Sequence, residues 1–88
     1  MIRKEVTVQN KLGLHARPSK LIVQTASNFR SEFHLIKGDM MANGKSIIGV
    51  MSLAAPKGAK LTVQADGADE EYLIEEIVKL FDSRFSED

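Results

Sequence analysis

The stretch Lys60-Leu61-Thr62-Val63-Gln64-Ala65-Asp66 decides the fold. Leu61, Val63 and Ala65 alternate with Lys60, Thr62, Gln64 and Asp66, a period of about two that describes a strand with one apolar and one polar face. Pro56 and Gly58 stop whatever precedes it, and Gly67 closes it. Beyond Gly67, Asp69, Glu70 and Glu71 open a helix with Leu73, Ile74, Ile77, Leu80, Phe81 and Phe85 on one stripe. Its acidic start suits the positive helix end, and Glu75 and Glu76 belong to a solvated face and not to catalysis.

Upstream, Ser46 is a good N-cap for a short helix with Ile47, Val50, Met51 and Ala54 at helical spacing. Before it, Phe33 and Leu35 alternate with His34 and Ile36, and Gly38-Asp39 turns that strand back into Met40, Met41 and Ala42. Leu21, Ile22, Thr25 and Ala26 follow helical spacing up to Phe29, with Pro18 in or near the first turn. The residue before a proline is disfavoured in the α region, which leaves the helix start open between Ala16 and Pro18. Over residues 3–8, Val6 and Val8 share a face with Ile2, opposite Arg3, Glu5 and Thr7. The order is β-α-β-β-α-β-α. Strands with one polar face suit an antiparallel sheet covered on one side only, so the expected class is α+β, an open-faced β-sandwich with three helices on one face. Residues such as Glu5, Thr7, Thr62 and Gln64 are expected to face water.

The chain has 88 residues, 12 Lys plus Arg, 12 Asp plus Glu and no cysteine. That length is one domain, residues 1–88, too small for a large cofactor cavity, and no cofactor is expected. Zero net charge removes the electrostatic footprint of a nucleic-acid binder. The strand order also describes an RNA-binding sheet, but the exposed positions Lys60, Thr62 and Gln64 are not the aromatics such a sheet stacks on bases. No cysteine means no disulfide scaffold or thiol chemistry. The start MIRKEVTV carries charge where a secretory segment would be apolar, and no run approaches the ~20 apolar residues of a membrane helix. A cytoplasmic protein without membrane insertion is expected.

Chemistry concentrates in Gly13-Leu14-His15-Ala16-Arg17-Pro18, where a strand ends and a helix begins. Helix starts present free N–H groups that favour anions. Imidazole, with an ordinary pKa of about 6.5, is largely a neutral nucleophile at pH 7, and Arg17 is placed to hold a phosphate. From spacing alone, a phosphoryl site and an incidental surface pair fit His-x-Arg equally well. Two other segments invite misreading. Five residues separate Gly38 from Gly44 ahead of Lys45-Ser46, one more than a nucleotide-binding P-loop has, and they form half of a hairpin. His34 has no companion at ligand spacing, so no metal site is expected. Ile47, Ile48 and Met51 cannot all turn inward from one short helix, so some are expected at the surface as the apolar centre of a docking patch, with Arg17 and Lys20 as its charged rim.

Two blocks, Lys11-Leu12-Gly13-Leu14-His15-Ala16-Arg17-Pro18 and Gly44-Lys45-Ser46-Ile47-Ile48-Gly49-Val50-Met51-Ser52-Leu53, strongly resemble the HPr family, histidine-containing phosphocarriers of the bacterial phosphoenolpyruvate-dependent phosphotransferase system. The resemblance covers the whole chain. It implies a sheet order of 1-4-2-3. It also implies that His15 accepts a phosphoryl group on Nδ1 from enzyme I and passes it to IIA proteins or domains, with Arg17 as electrostatic partner. A stoichiometric carrier of this kind is a monomer and not an autonomous enzyme. In the Gram-positive part of the family the position of Ser46 is a regulatory phosphoserine, a substrate of the HPr kinase/phosphorylase. Ser19 stands where the family often has Ala, and Ala54-Ala55-Pro56 where many members have Gly after the Leu. A nitrogen-related or regulatory branch, whose phosphorylation state signals without feeding sugar transport, shares nearly the same motifs.

Overall fold

The computed structural model describes residues 1–87. Its elements are β1 (Ile2–Thr7), α1 (Ala16–Ala26), β2 (Glu32–Lys37), β3 (Met40–Asn43), α2 (Ile47–Ser52), β4 (Lys60–Asp66) and α3 (Glu70–Asp82), followed by a 3-10 turn, Arg84–Ser86. The sheet order is β1-β4-β2-β3 with every neighbour antiparallel. The open-faced α+β arrangement expected from the strand alternation is the one observed.

Register explains which face is which. Val6 opposes Leu61, and Leu35 and Phe33 oppose Val63 and Ala65, so one face of the sheet is continuously apolar. Ile22 and Ala26 of α1, Val50 of α2, and Leu73, Ile77 and Phe81 of α3 complete the core with it. Fully burying side chains of this size contributes about 1.5–3 kcal/mol each before the ordering entropy is set against it. Lys4 opposes Val63 and therefore lies on the covered face, at the sheet edge. It lines, with Ile2, Ile74 and Val78, a groove of about 330 Å³ between β1 and α3.

The polar face departs from expectation at one residue. Gln64 was expected in water and is only 8 % exposed. It lies in a cross-strand row between Arg3 and His34, and the Arg3 Nε donates to its Oε1 at 2.7 Å. The flanking side chains cover its amide, and Arg3 satisfies part of it, so the site tolerates a buried polar group.

Helix α1 begins at Ala16, with His15 as N-cap and the Ser19 N–H donating to the His15 carbonyl at 3.1 Å. Pro18 is accommodated in the first turn because the N–H it lacks would have had no partner inside the helix. Ser19 is fully buried, and its hydroxyl finds the Leu14 carbonyl at 3.3 Å. Helix α2 is capped as its sequence implies, the Ser46 Oγ accepting the Gly49 N–H at 3.1 Å. It ends at Ser52, and Ala54 lies beyond it with φ of 49°. An L-residue there carries strain that glycine would not, about 1 kcal/mol. Ala54→Gly is expected to raise the melting temperature by about 4–8 °C, read by thermal unfolding.

One expectation about the last helix needs correction. Phe85 is not on the α3 stripe, because α3 ends at Asp82. Arg84, Phe85 and Ser86 all have positive φ (55°, 55° and 59°), a left-handed turn that swings the Phe85 ring back against Phe81, with centroids 4.9 Å apart and planes at 67°. Asp69 is the N-cap residue of α3 and makes no side-chain cap bond, while Glu70 and Glu71 lie in the acidic first turn. The Asp69 carboxylate accepts the Arg30 N–H at 2.9 Å, the Ser31 N–H at 3.0 Å and the Ser31 hydroxyl, tying the turn before β2 to the start of α3. The Ser31 hydroxyl, then the Arg30 amide, hold the Asp69 carboxyl down at about 2.

Candidate functional site

The loop between β1 and α1 is shaped by Gly13, whose φ is 71°. A Cβ there would run into the Ala55 carbonyl and come within 3.0 Å of the Pro56 Cα, so only glycine lets the loop lie this close. The Leu14 N–H donates to the Ala55 carbonyl at 2.9 Å, tying this loop to the segment that follows α2. His15 then leaves the loop in an extended conformation (φ −83°, ψ −163°), with no side-chain cap bond, so its imidazole is free for other contacts.

That imidazole is 37 % exposed, and its Nε2 faces Glu87, 3.4 Å from Oε1 and 3.3 Å from Oε2. Arg17 joins the same group. Its Nη1 donates to the Phe85 carbonyl at 2.7 Å and to Glu87 Oε2 at 3.3 Å. From the other side Asn10, with no exposed surface, donates through Nδ2 to the Gly13 carbonyl at 2.7 Å and to Glu87 Oε1 at 3.1 Å. This amide orientation is the favourable one, because the flipped amide would set its oxygen against a carbonyl and a carboxylate. It leaves Asn10 Oδ1 buried without a partner among the described residues, at a cost of roughly 1–3 kcal/mol. Burial alone would raise the Glu87 carboxyl, but hydrogen bonds from Asn10, His15 and Arg17 outweigh it and hold the group below the ordinary glutamate range.

Of the residues singled out in the sequence, His15 and Arg17 meet here through Glu87. Lys20 is exposed on α1. Ser46 sits at the start of α2, whose Ile47, Ile48 and Met51 are 41 %, 81 % and 40 % exposed. His34 lies apart from all of these, half-buried between Gln64 and Asn43 on the polar sheet face. Sequence reasoning missed Asn10 and Glu87, which lie 5 positions before and 72 after His15. A polar residue in a loop leading to Gly-x-His gives a faint signal for Asn10, and nothing local points to Glu87. The groove beside β1 shares no lining residue with this cluster.

The site is thus a partly exposed histidine at a helix N-cap with an arginine two residues on, presented by an open-faced sandwich. Residues 2–83 match the family model described as "PTS HPr component phosphorylation site". The phosphocarrier protein HPr of Xylella fastidiosa (strain Temecula1) is 47% identical over 88 residues, 100% of this chain and 99% of its own. The HPr-like protein Crh of Halalkalibacterium halodurans is 42% identical over 78 residues, 89% of this chain and 93% of its own. Among solved structures, the crystal structure of HPr-C-His from Thermoanaerobacter tengcongensis superposes with a TM-score of 0.96 at 43% identity, covering 100% of this chain and 99% of that one. The chain belongs to the HPr family of phosphocarrier proteins of the phosphotransferase system.

Proposed function

We propose that this protein, acting as one cytoplasmic domain of residues 1–88, takes a phosphoryl group from phospho-enzyme I on His15 and hands it to IIA proteins or domains. The observation that carries this reading is the His15 side chain at the N-cap of α1, uncommitted to capping, with Arg17 alongside. The first N–H groups of a helix have no intrahelical acceptor and can meet an anion. An exposed helix end contributes about 0.3–1 kcal/mol to a bound anion, enough to orient a phosphoryl group and still release it. The imidazole supplies the nucleophile, and the Arg17 guanidinium meets the negative charge of the transferring group. In a transfer assay, phosphorylated protein freed of its donor should lose its label when a IIA protein is added. Label that stays put with every IIA acceptor would favour the regulatory branch.

Ile47, Ile48 and Met51 form the apolar centre of the docking surface, with Arg17 and Lys20 at its rim. An exposed apolar patch linked to the transfer loop suits donor and acceptor in turn. Ile48→Ser is expected to weaken binding to both enzyme I and a IIA protein by about 5- to 30-fold in titrations, the effect of truncating an interface anchor. Ile48 being so exposed, the melting temperature should move by no more than about 4 °C. Ser46 is the regulatory position, open to an HPr kinase/phosphorylase. A phosphate there would sit at a helix start, where its charge is tolerated, beside the same docking residues.

A further inference from the structure

The phosphocarrier reading assigns His15 and Arg17 but gives Glu87 nothing to do, although Glu87 makes more polar contacts in the site than either. We propose that Glu87 is a positioning residue for phosphoryl transfer, one that holds the His15 imidazole as the Nε2–H tautomer and so leaves the lone pair on Nδ1. The proposal deepens the carrier reading and rests on it.

Both Glu87 oxygens lie about equally far from Nε2, at 3.4 and 3.3 Å, and a carboxylate can only accept. The proton of the neutral ring is therefore favoured on Nε2, because the tautomer is set by the hydrogen bond that one nitrogen makes. The same carboxylate bars Nε2 to an incoming phosphoryl group, since two anions would meet there. Nδ1 is the nitrogen left to react. Glu87 is itself held from two sides, by the buried Asn10 amide on Oε1 and by Arg17 on Oε2, so its place does not depend on the histidine alone. The left-handed turn at Arg84, Phe85 and Ser86, anchored by the buried Phe85 ring, brings the chain back to deliver it. The Glu87 carboxyl stays ionised below its ordinary range, so it is an acceptor wherever neutral imidazole exists.

The transfer step then balances without a proton shuttle. The Nδ1 electron pair forms the N–P bond, and the bond from phosphorus to the phosphorylated donor protein breaks with its pair remaining on the donor. The proton stays on Nε2. The positive charge gained by the ring faces the Glu87 carboxylate, an arrangement of the kind that buried carboxylates give catalytic histidines elsewhere.

The test uses the whole protein and two variants, Glu87→Ala and Glu87→Gln, followed by nitrogen NMR of the histidine ring and by the rate of phosphorylation by enzyme I. The wild-type ring should be the Nε2–H tautomer. Glu87→Ala should add a measurable Nδ1–H fraction and slow phosphorylation by about 3- to 10-fold, with the thermal transition unchanged. Glu87→Gln keeps an oxygen that can accept the Nε2 proton and loses the charge, so it should keep the wild-type tautomer and fall between the two in rate. A merely structural role would not separate tautomer from rate in this way. A mixed tautomer in the wild type, identical ring spectra in Glu87→Ala, or an unchanged or faster rate in that variant would overturn the proposal. A faster rate would mark Glu87 as an anion that occupies the site and must leave. If the wild type took no phosphate on His15, the carrier reading would fail, and the ring spectra would still judge the tautomer separately.

Discussion

Replacing His15 by alanine is expected to reduce acid-labile phosphate incorporation from phosphoenolpyruvate and enzyme I to background. The carrier has one nucleophile in this account, and nothing nearby can stand in for it. Arg17 carries no usable lone pair at neutral pH, Asn10 is an amide bound to Gly13 and Glu87, and Glu87 meets the ring at Nε2. The fold should survive, because the His15 side chain makes no cap bond and its extended backbone is open to alanine. Loss of one partly exposed polar contact costs about 0–1 kcal/mol, a few degrees of melting temperature in a domain of this size. Label that persisted in His15→Ala, or that mapped to His34 on the far face of the sheet, would contradict the assignment.

The largest effect on stability is expected at Phe85, which the sequence pattern placed on a helix it does not belong to. Its ring is 1 % exposed and meets Phe81 edge to face. Truncating a buried phenylalanine to alanine typically costs about 3–5 kcal/mol, of which an aromatic pair can supply about 0.5–1.5. Against a total stability of about 5–10 kcal/mol that is a severe loss, a fall of about 12–40 °C in melting temperature. The position also has a second consequence. Three successive residues with positive φ are unfavourable by about 1–2 kcal/mol each, and burial of this ring is what holds the turn against that cost. Without the ring the turn should relax, Arg17 should lose the Phe85 carbonyl, and Glu87 should leave His15. Phe85→Ala should therefore combine a large drop in melting temperature with His15 ring spectra like those of Glu87→Ala. A drop below about 5 °C, or His15 spectra unchanged in the folded variant, would show that the turn is held by something else.

What was legible in the sequence is what depends on near neighbours. Strand alternation around Leu61 to Ala65, the Gly38-Asp39 turn and the Ser46 cap are each decided within a few residues, and each appears in the structure where the pattern puts it. The start of α1 was open because the conformational bias of the residue before Pro18 argues against helix at Arg17, while the folded helix carries Arg17 nonetheless. The illegible features join distant segments. Gln64 is covered because Arg3 reaches it across 61 positions, and Asp69 spends its carboxylate on a turn 38 and 39 positions away. Phe85 keeps helical spacing after the helix has ended, so periodicity cannot distinguish it from a residue on α3. Half of the candidate site is of this second kind. The motif around His15 announces itself, whereas Asn10 and Glu87 have a role only once the left-handed turn has brought Glu87 back beside the loop before α1. Ala54 shows that a departure from family pattern can carry structural information, since the position where many members have glycine is one where φ is positive.

The central claim, that His15 carries the phosphoryl group and does so on Nδ1, is tested most directly by phosphorus and nitrogen NMR on protein with nitrogen-15 in its histidines. The sample is incubated with enzyme I, phosphoenolpyruvate and magnesium. The account predicts one phosphorus resonance, stable in base and lost in acid, coupled to the Nδ1 of His15 alone. A phosphorus resonance coupled to Nε2 of His15, one assigned to His34, or no phosphorus on histidine at all would contradict it.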